Sequence, residues 1–385
     1  MERIPAGEFV PPHCPWRECP SNTDPAGHPF RFRREGFYRR KSPPHRVQKF
    51  SCRVCGRGFS QQTFSATYYL KHPERMSQCA AAMVAGESFS QMADVRGGHR
   101  SSWARLSERL ARHCLLLHED LRREAARRSL LREEVVYDDF ETFAGCQDYP
   151  LAIGTAVGSR SHYVLALAAA PHRRPRSREW ERRRRDRRYR RYGPPPRGRV
   201  RAAAAAVRDR LLPLLPPGAS LVLSTDAHPA YRVFDHHPRI RHRTWPNPRR
   251  RKGSRRTPAM ARRDHAMFAG DFLHLLLRHA SAGHRRETIA FHRRHDLAAG
   301  RIFVFATWRN LVRPLSRRRG RPGRNVTPAT TLGLADRPWS WTDVLARRLF
   351  PWKTPLPDDL RRLYYKELDT PTARPNTRHR RVHAD

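Results

Sequence analysis

A chain of 385 residues with 78 Lys+Arg against 35 Asp+Glu carries a formal net charge of +43. No internal pairing neutralises that, so a polyanionic partner is expected. No run reaches 18 apolar residues, and the opening MERIPAGEFVPP lacks the basic and apolar regions of a signal peptide, so the expectation is a soluble intracellular protein with no membrane partner.

Seven cysteines is an odd number, and four of them form two close pairs. In a reducing compartment this favours a metal site over disulfides. Cys14 and Cys19 stand in CPWREC, and Cys52 and Cys55 in CRVCGRGF. Each pair presents two thiolates from one tight turn, and two such turns face to face complete a tetrahedral Zn2+ shell. His13 is a spare ligand, unneeded beside four cysteines. Between the pairs RFRREGFYRRKSPPHRVQKFS alternates aromatic residues with arginine, as a short hairpin with phosphate contacts would. Residues 1–65 are therefore expected to form a zinc ribbon.

The pattern then turns helical. ERMSQCAAAMVAG reads as a helix stopped by Gly86, SFSQMADVRG as a second, and HRSSWARLSERLARHCLLLHEDLRREAARR as a long third with Trp103, Leu106, Leu110, Cys114 and Leu117 at helical spacing. A glycine break between the second and third helices is compatible with a helix-turn-helix over residues 66–130. Its recognition helix would start near Ser101, with His99, Arg100 and Arg105 available to DNA. A plain helical linker bundle is the alternative.

From about residue 131 the period changes again. EEVVYDDFETF reads as a strand, PLAIGTAVGSRSHYVLALAAAP as two strands joined at Gly158 to Ser161, VRAAAAAVRDRLLPLL as a helix, and SLVLSTD as a buried strand. The first and fourth strands carry aspartates, as a metal-dependent phosphoryl-transfer site does when carboxylates from separate strands converge on two cations. This order is that of an α/β, RNase H-like core, expected over residues 131–314. An insertion at 172–199 is rich in arginine with Trp180, Tyr189 and Tyr192 interleaved, and reads either as a DNA-backbone arm or as a solvated charge run. Beyond the core, residues 315–385 read as a basic, partly disordered tail, in which SRRRGRPGRN suggests a minor-groove arm or a flexible linker.

Ribbon, helix-turn-helix and RNase H-like core in this order resemble the DDE-type transposases of bacterial insertion sequences. The matching pieces are CRVCGRGFSQQTFSATY, YDDF, STDAHPAY, HASAGHRRETIAFHRR, WRNLVRP and TPATTLGLADRPWSWTDVL. The resemblance implies Asp138 as the first catalytic acid and Asp226 as the second. Asp139 is the rival for the first place, because neighbours in a strand face opposite ways: Val136 and Asp138 share one face, Asp139 and Glu141 the other.

The third acid departs from the family pattern, which expects a glutamate on a late helix. MFAGDFLHLLLRHASAGHRRETIAFHRR offers Asp271 and Glu287. Asp271, His274 and Arg278 fall in one narrow wedge of a helix otherwise apolar, so Asp271 must face something polar. Glu287 lies beside Arg285 and Arg286 but inside the best-matching block, and stays open.

The resemblance further implies Mg2+ or Mn2+ at Asp138, Asp226 and Asp271, strand cleavage at an element's end, and attack of the freed 3′-hydroxyl on target DNA. Arg278, Arg285 and Arg286 are candidates to hold the scissile strand; His228 and His274 read either as groups that orient the nucleophile or a phosphate oxygen or as ordinary supporting or surface histidines among the chain's 21. The partner would be double-stranded DNA, bound by a homo-oligomer in the bacterial cytoplasm at the nucleoid. The alternative is a non-catalytic, zinc-containing DNA-binding regulator or a degenerate transposase, which has no need of the acids.

Overall fold

The computed structural model describes residues 9–248, 253, 255–316, 318, 320 and 322–373. A one-turn helix α1 (Pro20–Thr23) follows the first cysteine pair, and β1 (Phe32–Arg39), β2 (Arg46–Cys52) and β3 (Gly58–Ser60) form an antiparallel sheet in sequence order. Three helices follow, α2 (Glu74–Val84), α3 (Phe89–Arg96) and α4 (Arg100–Arg127). Ser88 caps α3 and exchanges hydrogen bonds with Gln91, while Gly97 at φ +70 ends it.

The second sheet is built from β4 (Val135–Ala144), β5 (Cys146–Gly158), β6 (Val164–Pro171), β7 (Leu221–Thr225) and β8 (Ile240–Thr244). Its spatial order is β6-β5-β4-β7-β8, with β4, β5 and β6 antiparallel and β4, β7 and β8 parallel. Between β6 and β7 come α5 (Glu179–Tyr192) and α6 (Arg199–Leu211); after β8 come α7 (Pro258–Ala266), α8 (Phe268–Ala280) and α9 (His295–Thr307). Three short helices close the described chain, α10 (Pro328–Thr331), α11 (Trp341–Val344) and α12 (Asp358–Tyr364).

Strand alternation sorts β4 between two cores. Val136 and Phe140 turn towards Leu273, Leu277 and Phe303 of α8 and α9, whereas Val135 and Tyr137 turn towards Ala204, Val207 and Leu211 of α6. The sheet is thus covered on both faces, which explains why β5 is buried along most of its length.

Three features go beyond the sequence reading. Helices α2 to α4, expected as a helix-turn-helix domain over 66–130, pack on the second sheet: Met76, Ala80, Leu110 and Cys114 belong to the same core cluster as Val136 and Phe140. The 28-residue α4 is buried along its middle, with Arg100 and Arg105 exposed near its start and Arg127 at its end. The segment after 315 is not simply a tail. Phe350 packs among the ribbon aromatics, Val344 and Ala329 enter the α6-side core, and Leu360 and Leu363 enter the α8-side core. Finally, β8 was not foreseen, its IRHRT carrying too little apolar signal to be read as a strand. Arg317, Arg319 and Arg321 of the expected minor-groove arm, and the polar end from residue 374, lie outside the described residues.

No helix of the described residues is long and apolar enough to cross a membrane.

Candidate functional site

The cysteines come together. A tetrahedral shell with metal–sulfur bonds of about 2.3 Å has sulfur–sulfur edges of about 3.8 Å. Cys14 Sγ lies 3.7 Å from Cys55 Sγ, and Cys19 Sγ 3.8 Å from Cys52 Sγ. All four sulfurs lie within 4.8 Å of one another, close enough to bind a metal ion such as zinc.

Local turns produce this. Gly56 at φ +71 lets its N–H reach back to Cys52 O at 2.8 Å, and Asn22 Nδ2 donates to Cys14 O and Trp16 O, fixing the first knuckle. His13 is not part of the cluster. Its ring packs edge-on against Phe64, Phe350 and Trp352, and its Nδ1 lies 2.9 Å from Cys14 O. The spare-ligand expectation for His13 therefore gives way to a packing role that joins ribbon and C-terminal segment.

The acids converge more loosely. Parallel pairing of Val135 with Leu223 and Val136 with Ser224 sets β4 beside β7 in a register that brings Asp138 level with Asp226, one residue past the end of β7. Asp226 is fixed by its own turn: its Oδ1 accepts from His228 N at 2.9 Å, and Asn247 Nδ2 lies 3.4 Å from its Oδ2. The third element is α8, and a glycine admits it. A Cβ on Gly270 would sit 3.0 Å from Val136 Cγ1 and 3.8 Å from Asp138 Cβ, so only glycine lets the helix lie this close to the strand. The next residue is Asp271.

Burial first, and then the charges of Asp226, Asp139 and, further down, Asp271, push the Asp138 carboxyl up to about 8. Its neighbour His274 is held neutral, pushed down to about 3 by burial and by the Arg278 guanidinium. Thr155 Oγ1 donates its one proton to Asp138 O at 2.9 Å, so it can only accept from His274 Nε2, also at 2.9 Å. That fixes the tautomer. His274 Nδ1 is left unprotonated, 3.6 Å from Asp138 Oδ2, too far for a direct hydrogen bond.

Asp139 has the opposite surroundings. It receives a hydrogen bond from Tyr137 OH at 3.1 Å and another from Tyr231, under the α6-side core. Burial nevertheless raises it to about 7. The two neighbours thus occupy the two faces, and it is Asp138 that turns towards α8.

Asp271 is paired with Arg263 of α7, through both guanidinium nitrogens. Glu287 is not on a helix at all. Helix α8 ends at Ala280, and Glu287 stands exposed in a bend between α8 and α9. The apolar pattern of MFAGDFLHLLLRHA stops at Ser281, where the backbone turns extended, and the expected single helix through HRRETIAFHRR is corrected accordingly.

The arginines expected to hold DNA divide. Arg278 is occupied, donating to Glu141 O at 2.9 Å and His284 O at 3.0 Å and stacking over Phe140. Arg285 reaches Gly86 O, while Arg286 is exposed. Arg100 and Arg105 lie exposed at the start of α4, Arg105 bonded back to Ser101. His228 caps the turn after Asp226, its Nδ1 accepting from Ala230 N.

The chain matches no protein-family model, no curated protein and no solved structure. The site is therefore argued from its geometry. Sequence reasoning missed Thr155, Arg263, Asn247 and Gly270. Only Gly270 left a signal, a glycine in the first turn of an apolar helix beside a lone acid.

Proposed function

We propose that the protein is a DDE-type DNA transposase, with an RNase H-like core carrying Asp138, Asp226 and Asp271 and a zinc ribbon beside it. The sheet order, two antiparallel strands leading into a parallel trio with the acids on its central strands, supports the core assignment. One observation carries the reading. Although among the described residues only the four cysteines lie close enough together to hold an ion as they stand, the register of β4 beside β7 brings Asp138 level with Asp226, Gly270 lets α8 carry Asp271 against the same strand, and the charges of Asp226 and Asp271 both raise Asp138. Bound Mg2+ or Mn2+ would supply charge neutralisation and Lewis acidity there.

The chain's own residues would do the rest. Asp226, held by the His228 amide and by Asn247, keeps its orientation. His274, held neutral by burial and by Arg278, adds no positive charge beside Asp138 and leaves that carboxylate free to become a ligand. The net charge of +43 draws in DNA.

A second reading has one observation of its own. Arg263 already neutralises Asp271, where a cation would otherwise be needed. That favours a degenerate transposase or regulator that binds DNA without cutting it.

Incubation of the full chain with a labelled duplex bearing the flanking element end, with and without Mg2+ or Mn2+, separates the two. The transposase reading expects cleaved and joined product that Asp226→Asn abolishes. DNA bound but neither cut nor joined under either metal assigns the protein to the second reading.

A further inference from the structure

The arginine-rich insertion is a folded element, and its packing is unusual. Helix α5 has eight arginines among its fourteen residues and buries none of them. Such a helix is marginal in water and its charges repel one another. It is held from below by the Asp148 carboxylate together with two tyrosine hydroxyls. Asp148, with a fully buried carboxylate, receives Arg176 at 3.1 Å, Arg184 at 3.3 Å and Arg188. Tyr149 OH lies 3.2 Å from both Arg188 O and Gly193 O, and Tyr189 OH donates to Asp148 O at 3.0 Å.

The anchor uses one side of the helix and leaves the other free. At roughly 100° per residue, Arg184, Arg188 and Tyr189 face inward, whereas Arg183, Arg187, Arg190 and Arg191 fall within about 100° of arc on the outside. These four are exposed, and Arg187, Arg190 and Arg191 have no carboxylate partner among the described residues. Trp180 is exposed near the same stripe, but the other exposed ring, Tyr192, is turned about 120° away, so no continuous stacking platform exists. Charge, not stacking, is what the face offers.

Its location matters. Asp138 pairs with Thr155, and Asp148 lies seven residues further along β5. In extended strand that is about 24 Å, or about seven base pairs of duplex. The hairpin that carries Asp138 therefore carries this basic stripe at its far end.

We propose that the outer face of α5 is a duplex-DNA backbone clamp, positioned by Asp148 and contacting phosphates some seven base pairs from the acids. The choice of DNA among polyanions rests on the proposed function; the clamp itself rests on the stripe and its anchor.

The test is equilibrium binding of a fluorescent duplex by the full zinc-loaded chain across a salt series. The comparison is wild type, the Arg183→Gln, Arg187→Gln, Arg190→Gln, Arg191→Gln variant, and Asp148→Asn. Each lost phosphate contact lowers the log–log salt slope by about 0.9, so the quadruple variant should be shallower by up to about 3.6, with tenfold or more weaker binding at moderate salt. Asp148→Asn keeps the outer charges and should weaken binding several-fold by freeing the helix, with circular dichroism showing that the remaining fold is intact. An unchanged slope in the quadruple variant overturns the clamp while leaving the transposase reading standing. No duplex binding by the wild type overturns both. Loss of binding to anionic vesicles or RNA, with duplex binding untouched, assigns the stripe to another partner and also overturns it.

Discussion

The ribbon and the acidic site both gather anionic ligands, and they do so in opposite ways. At the ribbon four sulfurs from two local turns close on one another, three of the four cysteines are buried, and a shell of phenylalanines seals them. On the sheet three carboxylates arrive from three elements far apart in sequence, remain partly open, and share their space with His274 and Arg263. A closed shell supplies every ligand itself, so its metal becomes part of the fold; an open one leaves positions for substrate oxygens. The first is expected to be structural and the second to depend on what is bound.

The largest expected effect follows at the ribbon. Structural zinc contributes on the order of 10 kcal/mol to folding a small domain. Cys52→Ser, or a strong chelator, should reduce bound zinc from about one per chain to nearly none and unfold residues up to the first helices. Because Phe350 and Trp352 pack against His13 and Phe64, their release should shift tryptophan fluorescence to the red. Identical thermal melts with zinc and with chelator would show that the four cysteines are packing residues only.

At the acids the next effect is on activity. On the proposed transposase reading, Asp138→Asn and Asp271→Asn should each lower joining by at least about 100-fold, the loss usual when a group stabilising transition-state charge is removed. Asp139→Asn should act through the fold, since its partners are Tyr137 and Tyr231. If Asp139→Asn and Asp138→Asn reduce joining equally with unchanged melting, the assignment of faces on β4 is wrong.

Stability against pH gives the comparison a sign. Asp138 is raised to about 8 from an ordinary value of 3.8, so the folded chain holds that proton more tightly than the unfolded one. Its contribution is fully present below about pH 4 and is lost as pH rises through 8. Asp138→Asn, which never ionises, should therefore be more stable than wild type at pH 9, by about 2 kcal/mol after allowance for its partial exposure, and show no such gain at pH 4. Saturating Mg2+ at pH 8 should stabilise the wild type and not the variant. A gain that is independent of pH would mean that the carboxyl is not destabilised by its neighbours.

How much was legible in the sequence follows the same division. The cysteine pairs could be read because their ligands are close along the chain and glycines mark the turn. The strands β4, β5, β6 and β7 were legible from runs such as VVYDDF and LVLST, whose apolar pattern is local. The placement of Asp271 was only half legible. Its helical wedge was in the sequence, but the close approach of α8 to β4 depends on Gly270 meeting Val136 across more than a hundred residues. The role of Asp148 left no local signal at all, since one acid before a tyrosine says nothing of the three arginines it will hold. The docking of Phe350 on the ribbon was equally hidden, because an isolated FPW in a polar stretch has no period to read.

Gly270→Ala tests that approach directly. The added methyl would press on Val136 Cγ1 at 3.0 Å, so α8 must give by a few tenths of an ångström. The stability cost should be about 1 kcal/mol, and Asp271 should be carried away from Asp138. Joining should fall about tenfold or more while duplex binding is unchanged, since geometry near a reacting centre is sensitive to small displacements. Equal loss of binding and joining would indicate a general disturbance of the core instead.

The smallest expected effect is at Glu287, and its smallness is the informative part. Glu287 stands exposed in a bend, outside α8, and does not contribute to the electrostatics of Asp138 as Asp271 does. If the site is complete as built, Glu287→Gln should change melting by less than about 0.5 kcal/mol and joining by less than about twofold, against the 100-fold expected of Asp271→Asn. The opposite result would be decisive in another direction. A Glu287→Gln variant that binds DNA and melts normally but does not join strands would mean that the bend folds inward on DNA to deliver the third carboxylate. Arg263 would then be neutralising Asp271 as a structural pair, and the open site would prove to be one that substrate completes not only with its oxygens but with a moving part of the chain itself.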